Sequence, residues 1–215
     1  MNILYIEPYY SGSHKEWIDS YQKYSNHNID ILTLPGNKWK WRMHGGAITL
    51  ANQFLEKKQS YDLFLCSDFL NLPVFKSLLS NHNNKPFIMY FHENQLSYPW
   101  SPKDDDIKLN RDLHYHFINY TSSLVSDFNL FNSNYHLDSY LNSLKLYLKK
   151  MPDFNNFNTI DIIKDKSDVL YVISNVSYFL MSNYALQLSH YSHFTNFLKQ
   201  DCCHYVAIPD GSRTY

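Results

Sequence analysis

Five times between Asn2 and Lys150 the chain repeats one pattern: a short apolar run, a turn, then apolar residues at helical spacing. The runs cover 2–8, 29–35, 61–68, 85–91 and 127–134, and the helical patterns between and after them include 47–58, 70–79 and 135–150. Strands that alternate with helices pair in parallel, because a helical crossover returns the chain to begin the next strand in the same direction. Those crossovers are right-handed. The pattern predicts an α/β fold, a Rossmann-like doubly wound parallel sheet covered by helices.

The ends of these runs are unusually polar. Phe87-Ile88-Met89-Tyr90-Phe91 stops abruptly at His92-Glu93-Asn94-Gln95, and other runs lead into Gly12-Ser13-His14, Ser67-Asp68 and Asn132-Ser133. Any one of these clusters could be a cap or a turn. Together, on a sheet whose ligands lie beyond the carboxyl ends of its strands, they predict a polar binding site. Gly12, Ser13 and His14 stand where a strand turns into a helix N-terminus, which attracts anions. A single glycine there does not make a dinucleotide fingerprint.

Between the second strand and the next helix lies Gly36-Asn37-Lys38-Trp39-Lys40-Trp41-Arg42-Met43-His44. As a loop, its tryptophans could stack on a base or sugar while its cations meet phosphates. The alternative is that one tryptophan anchors the loop to the core. Asp104, Asp105 and Asp106 suit a helix N-terminus through its dipole, which disfavours reading them as a metal cluster.

The formal charge of -1 with 18% charged residues provides no basic field of the kind that holds nucleic acid by bulk electrostatics. Cys66, Cys202 and Cys203 form neither a disulfide framework nor a zinc spacing, which fits a reducing compartment. The N-terminus lacks the features of a secretory signal, and no apolar stretch reaches the ~18 residues that suggest a membrane span. These readings predict a soluble, non-membrane protein of the cytoplasm, with the nucleus as the alternative. Val169–Ile173 could form a sixth strand. After Ser174 charges are few, no helix face is clearly polar, and His190, His193 and His204 support no standard metal spacing.

The assembled motifs resemble one family. They are Gly12-Ser13-His14-Lys15 after the first strand, Leu34-Pro35 followed by Lys38-Trp39-Lys40-Trp41-Arg42, Cys66-Ser67-Asp68-Phe69-Leu70-Asn71-Leu72, Tyr90-Phe91-His92-Glu93-Asn94-Gln95-Leu96 with Tyr98-Pro99, and Phe131-Asn132-Ser133. They look like the N-terminal domain of the tRNA-queuosine α-mannosyltransferases over residues 1–172. The resemblance implies the N-terminal half of a GT-B glycosyltransferase that transfers mannose from GDP-mannose, with retention and without a cofactor or required metal, to queuosine in the anticodon of a tRNA. It implies His92 and Glu93 as catalytic residues and Gly12, Ser13, His14, Asn94, Gln95, Tyr98, Asn132 and Ser133 around the substrates. Trp39, Trp41 and Arg42 are implied on the RNA side. Residues 173–215 match nothing in the family and read as a divergent tail in place of the C-terminal donor-binding domain. A truncated, weakly active or inactive product is therefore expected. The alternatives are another GT-B glycosyltransferase and a non-catalytic nucleotide- or RNA-binding fragment.

Overall fold

The computed structural model describes residues 1–57, 59–79, 84–99 and 114–171. Within them, β1 (Asn2–Tyr10), β2 (Asn28–Pro35), β3 (Leu63–Ser67), β4 (Phe87–Phe91), β5 (Phe128–Phe131) and β6 (Ser167–Val169) form one sheet in the order β2-β1-β3-β4-β5-β6. Every pairing is parallel. The described helices are α1 (Gly12–Tyr24), α2 (Trp39–Leu55), α3 (Leu72–Leu78), α4 (His114–Val125), α5 (Asn134–Leu148) and α6 (Asn158–Asp165). The strand order reverses between β1 and β3, and that switch point is where a sheet of this type opens a crevice.

The central strands are continuous apolar runs because both faces are covered; every residue of β3, β4 and β5 is buried. Leu4, Ile6, Met89 and Phe91 point to one face, where they meet Leu50, Ala51 and Phe54 of α2, Phe75 of α3 and Tyr140 and Leu144 of α5. Tyr5 and Tyr90 alternate to the other face, where Trp17 of α1 stacks on Tyr90 at 4.3 Å and lies 5.6 Å from Tyr5. Burial of a side chain of that size stabilises the fold by about 2–3 kcal/mol.

Three elements differ from the sequence reading. The stretch expected to be a loop through His44 is helical from Trp39 onward. Trp39 and Met43 lie one turn apart and pack together with Phe69 and Tyr115, so tertiary contacts outweigh the loop-like composition. The sixth strand runs Ser167–Val169 rather than starting at Val169, with Leu130 opposite Asp168. The short helix α6 was not anticipated; it brings Ile163 into the core. The aspartates at 104–106, the C-terminal end of the expected sixth strand and the tail histidines lie outside the described residues. Among the described residues no helix is long and apolar enough to cross a membrane.

Candidate functional site

β1 loses its regular register with β2 between Glu7 and Tyr10, around Pro8. Such irregularities re-aim side chains at a strand end. The Glu7 carboxylate is fully buried there. Its Oε1 accepts from the Tyr9 amide at 2.8 Å and Ser67 Oγ at 2.9 Å; its Oε2 accepts from the Tyr5 hydroxyl at 3.0 Å and His14 Nδ1 at 2.9 Å. His14 reaches Glu7 because the chain turns sharply at Gly12, whose φ of 52° suits glycine. The β2–α2 turn presses against this corner: a Cβ on Gly36 would lie 2.1 Å from Ser11 Cβ. α1 starts without a side-chain cap and with no acidic residue in its first turn, so its dipole faces the turn uncompensated.

Burial alone would lower the His14 pKa, but the carboxylates of Glu7, Asp68 and Glu93 outweigh it and push it up to about 9. His92 behaves oppositely: burial, then the proximity of His14 and His136, holds it well below the ordinary histidine value. The His14 and His92 rings lie 4.1 Å apart. Burial raises Asp68, and Glu93 and Glu7 add to this against the opposing pull of His14. Asp68 Oδ1 accepts from the His92 amide at 2.9 Å, while buried Oδ2 has no partner among the described residues. Burial also raises Glu93, against His14 and a hydrogen bond from Gln95. Glu7, His14 and His92 offer three metal-capable atoms within 4.8 Å of one another. Four hydrogen bonds already occupy the Glu7 oxygens, so these atoms form a proton-bridged network rather than lone pairs converging on an ion.

Among the described residues, two cavities on this edge are separated by the segment His92–Pro99. The β1-side cavity, about 360 Å³, is bounded by Ser11–His14, Glu93, Gln95 and Tyr98 and by an aromatic wall of Tyr9, Phe69 and Trp39. Tyr9 stacks on Phe69 at 5.1 Å and Trp39 meets Phe69 edge-on at 6.3 Å. The His14 ring packs edge-on against Phe69 at 5.1 Å, and a cation beside flat rings suits an anion attached to a planar or sugar ring. The β5-side cavity, about 300 Å³, is bounded by His92, Glu93, Asn94 and Tyr98 on one flank and Asn132, Ser133, Tyr135 and His136 on the other.

The sequence-derived residues thus divide. Gly12, Ser13, His14, Gln95 and Trp39 line the first cavity, His92, Asn94, Asn132 and Ser133 the second, and Glu93 and Tyr98 both. Several are already engaged in local structure. Asn94 bonds Ser97, Asn132 Nδ2 donates to the His92 carbonyl at 2.8 Å, and Ser133 caps α5 through the His136 amide. Trp41 and Arg42 line neither cavity. Trp41 is 64% exposed, and the Arg42 guanidinium donates to the Pro35 carbonyl and Asn37 Oδ1. Glu7 and Tyr5 were missed by sequence reasoning; the available signal was an acid inside the apolar run Ile3-Leu4-Tyr5-Ile6-Glu7.

A family model described as tRNA-queuosine alpha-mannosyltransferase N-terminal matches residues 2–173. The tRNA-queuosine alpha-mannosyltransferase of Drosophila melanogaster is 35% identical over 179 residues, which is 83% of this chain and 46% of that protein. The chain spans about half the length of this curated relative.

Proposed function

The chain belongs to the family defined by the N-terminal domain of the tRNA-queuosine alpha-mannosyltransferases, and from that membership we propose that it forms one wall of a GT-B mannosyl-transfer site. GDP-mannose is the proposed donor and queuosine in a tRNA the proposed acceptor, with retention at the sugar and no cofactor. The observation that supports this reading is the β1-side cavity, where an imidazolium packs edge-on beside a stack of aromatic rings. His14 and the uncapped start of α1 would hold the diphosphate. His92 and Glu93, at the end of β4, would meet the transferred sugar, where hydrogen bonds that strengthen as charge develops lower the barrier. The aromatic wall of Tyr9, Phe69 and Trp39 would take the acceptor ring. Exposed Trp41, beside Lys38, would meet the surrounding RNA by stacking and by charge. The proposed location is the cytoplasm.

Binding of the 215-residue chain to tRNA with and without queuosine, compared by filter retention at fixed salt, tests the acceptor. Tighter binding of the queuosine-containing tRNA is expected, with the difference removed by Trp39→Ala. Equal affinity for the two tRNAs contradicts the assignment.

A further inference from the structure

His14 and His92 lie 4.1 Å apart, centroid to centroid, beneath the two cavities. Two imidazolium ions so close in a buried site would repel strongly, so the pair needs a device that decides which ring is charged. The hydrogen bonds provide one. A Glu7 carboxylate can only accept, so the 2.9 Å contact to His14 Nδ1 requires a proton on that nitrogen. The same Oε2 lies 3.0 Å from the Tyr5 hydroxyl, whose single proton must point at it. Tyr5 then has only lone pairs left for His92 Nε2 at 3.1 Å, so Nε2 carries the proton and donates.

We propose that Glu7 is a positioning residue that gives the stacked histidines opposite roles, fixing His14 as a cationic donor toward the β1-side cavity and His92 as a neutral ring with its lone pair on Nδ1. The groups that face His14 are Glu7 and Tyr9 from β1, Asp68 and Phe69 beyond β3, and His92 and Glu93 beyond β4. Those that face His92 are Tyr5, Trp17, Tyr90, His14 and His136, with the Asp68 carboxyl on its backbone amide. A fixed cation beside a neutral acceptor matches a phosphate group next to a sugar hydroxyl. That consequence rests on the sugar-nucleotide reading; the protonation states themselves do not.

Long-range proton–nitrogen NMR on the ligand-free chain with labelled histidine tests the proposal from about pH 5 to about pH 10, a range that brackets ordinary and raised values. In the wild type, His14 should keep both nitrogens protonated through neutral pH, and His92 should remain a single neutral tautomer with its proton on Nε2. Glu7→Gln should move the His14 titration down toward the ordinary value of about 6.5 or below it. Tyr5→Phe should leave His14 charged but let His92 populate both tautomers. Wild-type His14 titrating near the ordinary value, His92 carrying its proton on Nδ1, or a Glu7→Gln protein with unchanged His14 would each overturn the proposal. Should Glu7→Gln not fold, the wild-type and Tyr5→Phe spectra decide alone. A failure to discriminate queuosine in tRNA would leave these spectra unaffected, so the two readings fail separately.

Discussion

His14 and His136 are near-duplicates in geometry and opposites in chemistry. They are 5% and 7% exposed, each lies in the first turn of a helix that follows a strand, and each makes one Nδ1 hydrogen bond, at 2.9 Å and 3.0 Å respectively. The partner of His14 is the Glu7 carboxylate; that of His136 is the Asn132 carboxamide oxygen. Carboxylates outweigh burial and lift His14 to about 9, whereas burial acts unopposed on His136 and lowers it to about 4. Exposure and bond length are matched, so the surrounding carboxylates, the Glu7 partner first and then Asp68 and Glu93, decide the histidine's state. The two cavities divided by His92–Pro99 inherit that difference: one meets the His14 cation, the other amides, hydroxyls and neutral imidazole, with the Glu93 carboxyl on the border of both.

Removing the two partners should break the comparison most forcefully. Glu7→Leu leaves the Tyr5, Tyr9, Ser67 and His14 donors without their acceptor, and breaking a buried pair of this kind costs about 3–5 kcal/mol. Asn132→Leu removes a neutral partner and should cost about 1–3 kcal/mol. Urea denaturation compares them; equal losses would mean that the charge on Glu7 adds nothing.

The pH dependence of stability sharpens the same contrast. His14 has a folded pKa of about 9, above the unfolded value of about 6.5. Its contribution is therefore fully present below pH ~6.5 and is lost as pH rises through ~9, an alkaline limb of about 3 kcal/mol. His136 is depressed to about 4, so its contribution is present above pH ~6.5 and is lost as pH falls through ~4. Denaturant midpoints across pH should show Glu7→Gln flattening the alkaline limb and Asn132→Asp flattening the acid one. An alkaline limb that survives Glu7→Gln would assign it to another group.

Smaller changes test whether each cavity responds alone. Gly36→Ala drives a Cβ into Ser11 and should cost about 1–3 kcal/mol, as overpacking does. It should disturb NMR signals at the β1-side cavity while leaving those of Tyr135 and His136 in place. Trp41→Ala touches neither cavity and should change stability by less than about 0.5 kcal/mol. Its expected effect is on tRNA affinity, and a large loss of stability would show that Trp41 is structural.

The alternation of apolar runs and helical patterns made the parallel sheet readable, and the polar strand ends marked the edge that carries both cavities. Other features depended on contacts that no local pattern encodes. Trp39 and Met43 look like loop residues until Phe69 and Tyr115, distant in sequence, give them a surface to pack on. Glu7 looks like an edge residue in a short strand, and its burial follows from donors supplied by Ser67 and His14. Asn132 and Ser133 were legible as polar but not as already satisfied, since their partners are each other, His92 and His136.

Titration with inorganic sulfate, whose charge is constant near and above neutral pH, tests most directly whether Glu7 gives the β1-side cavity a cation that the β5-side cavity lacks. Sulfate added to the labelled chain at neutral pH should shift the His14 ring signals and leave those of His136 in place. The binding should fade as pH rises through about 9, where His14 loses its proton, and should be lost at neutral pH in Glu7→Gln. Shifts at His136 rather than His14, or sulfate binding that persists unchanged in Glu7→Gln, would contradict the account.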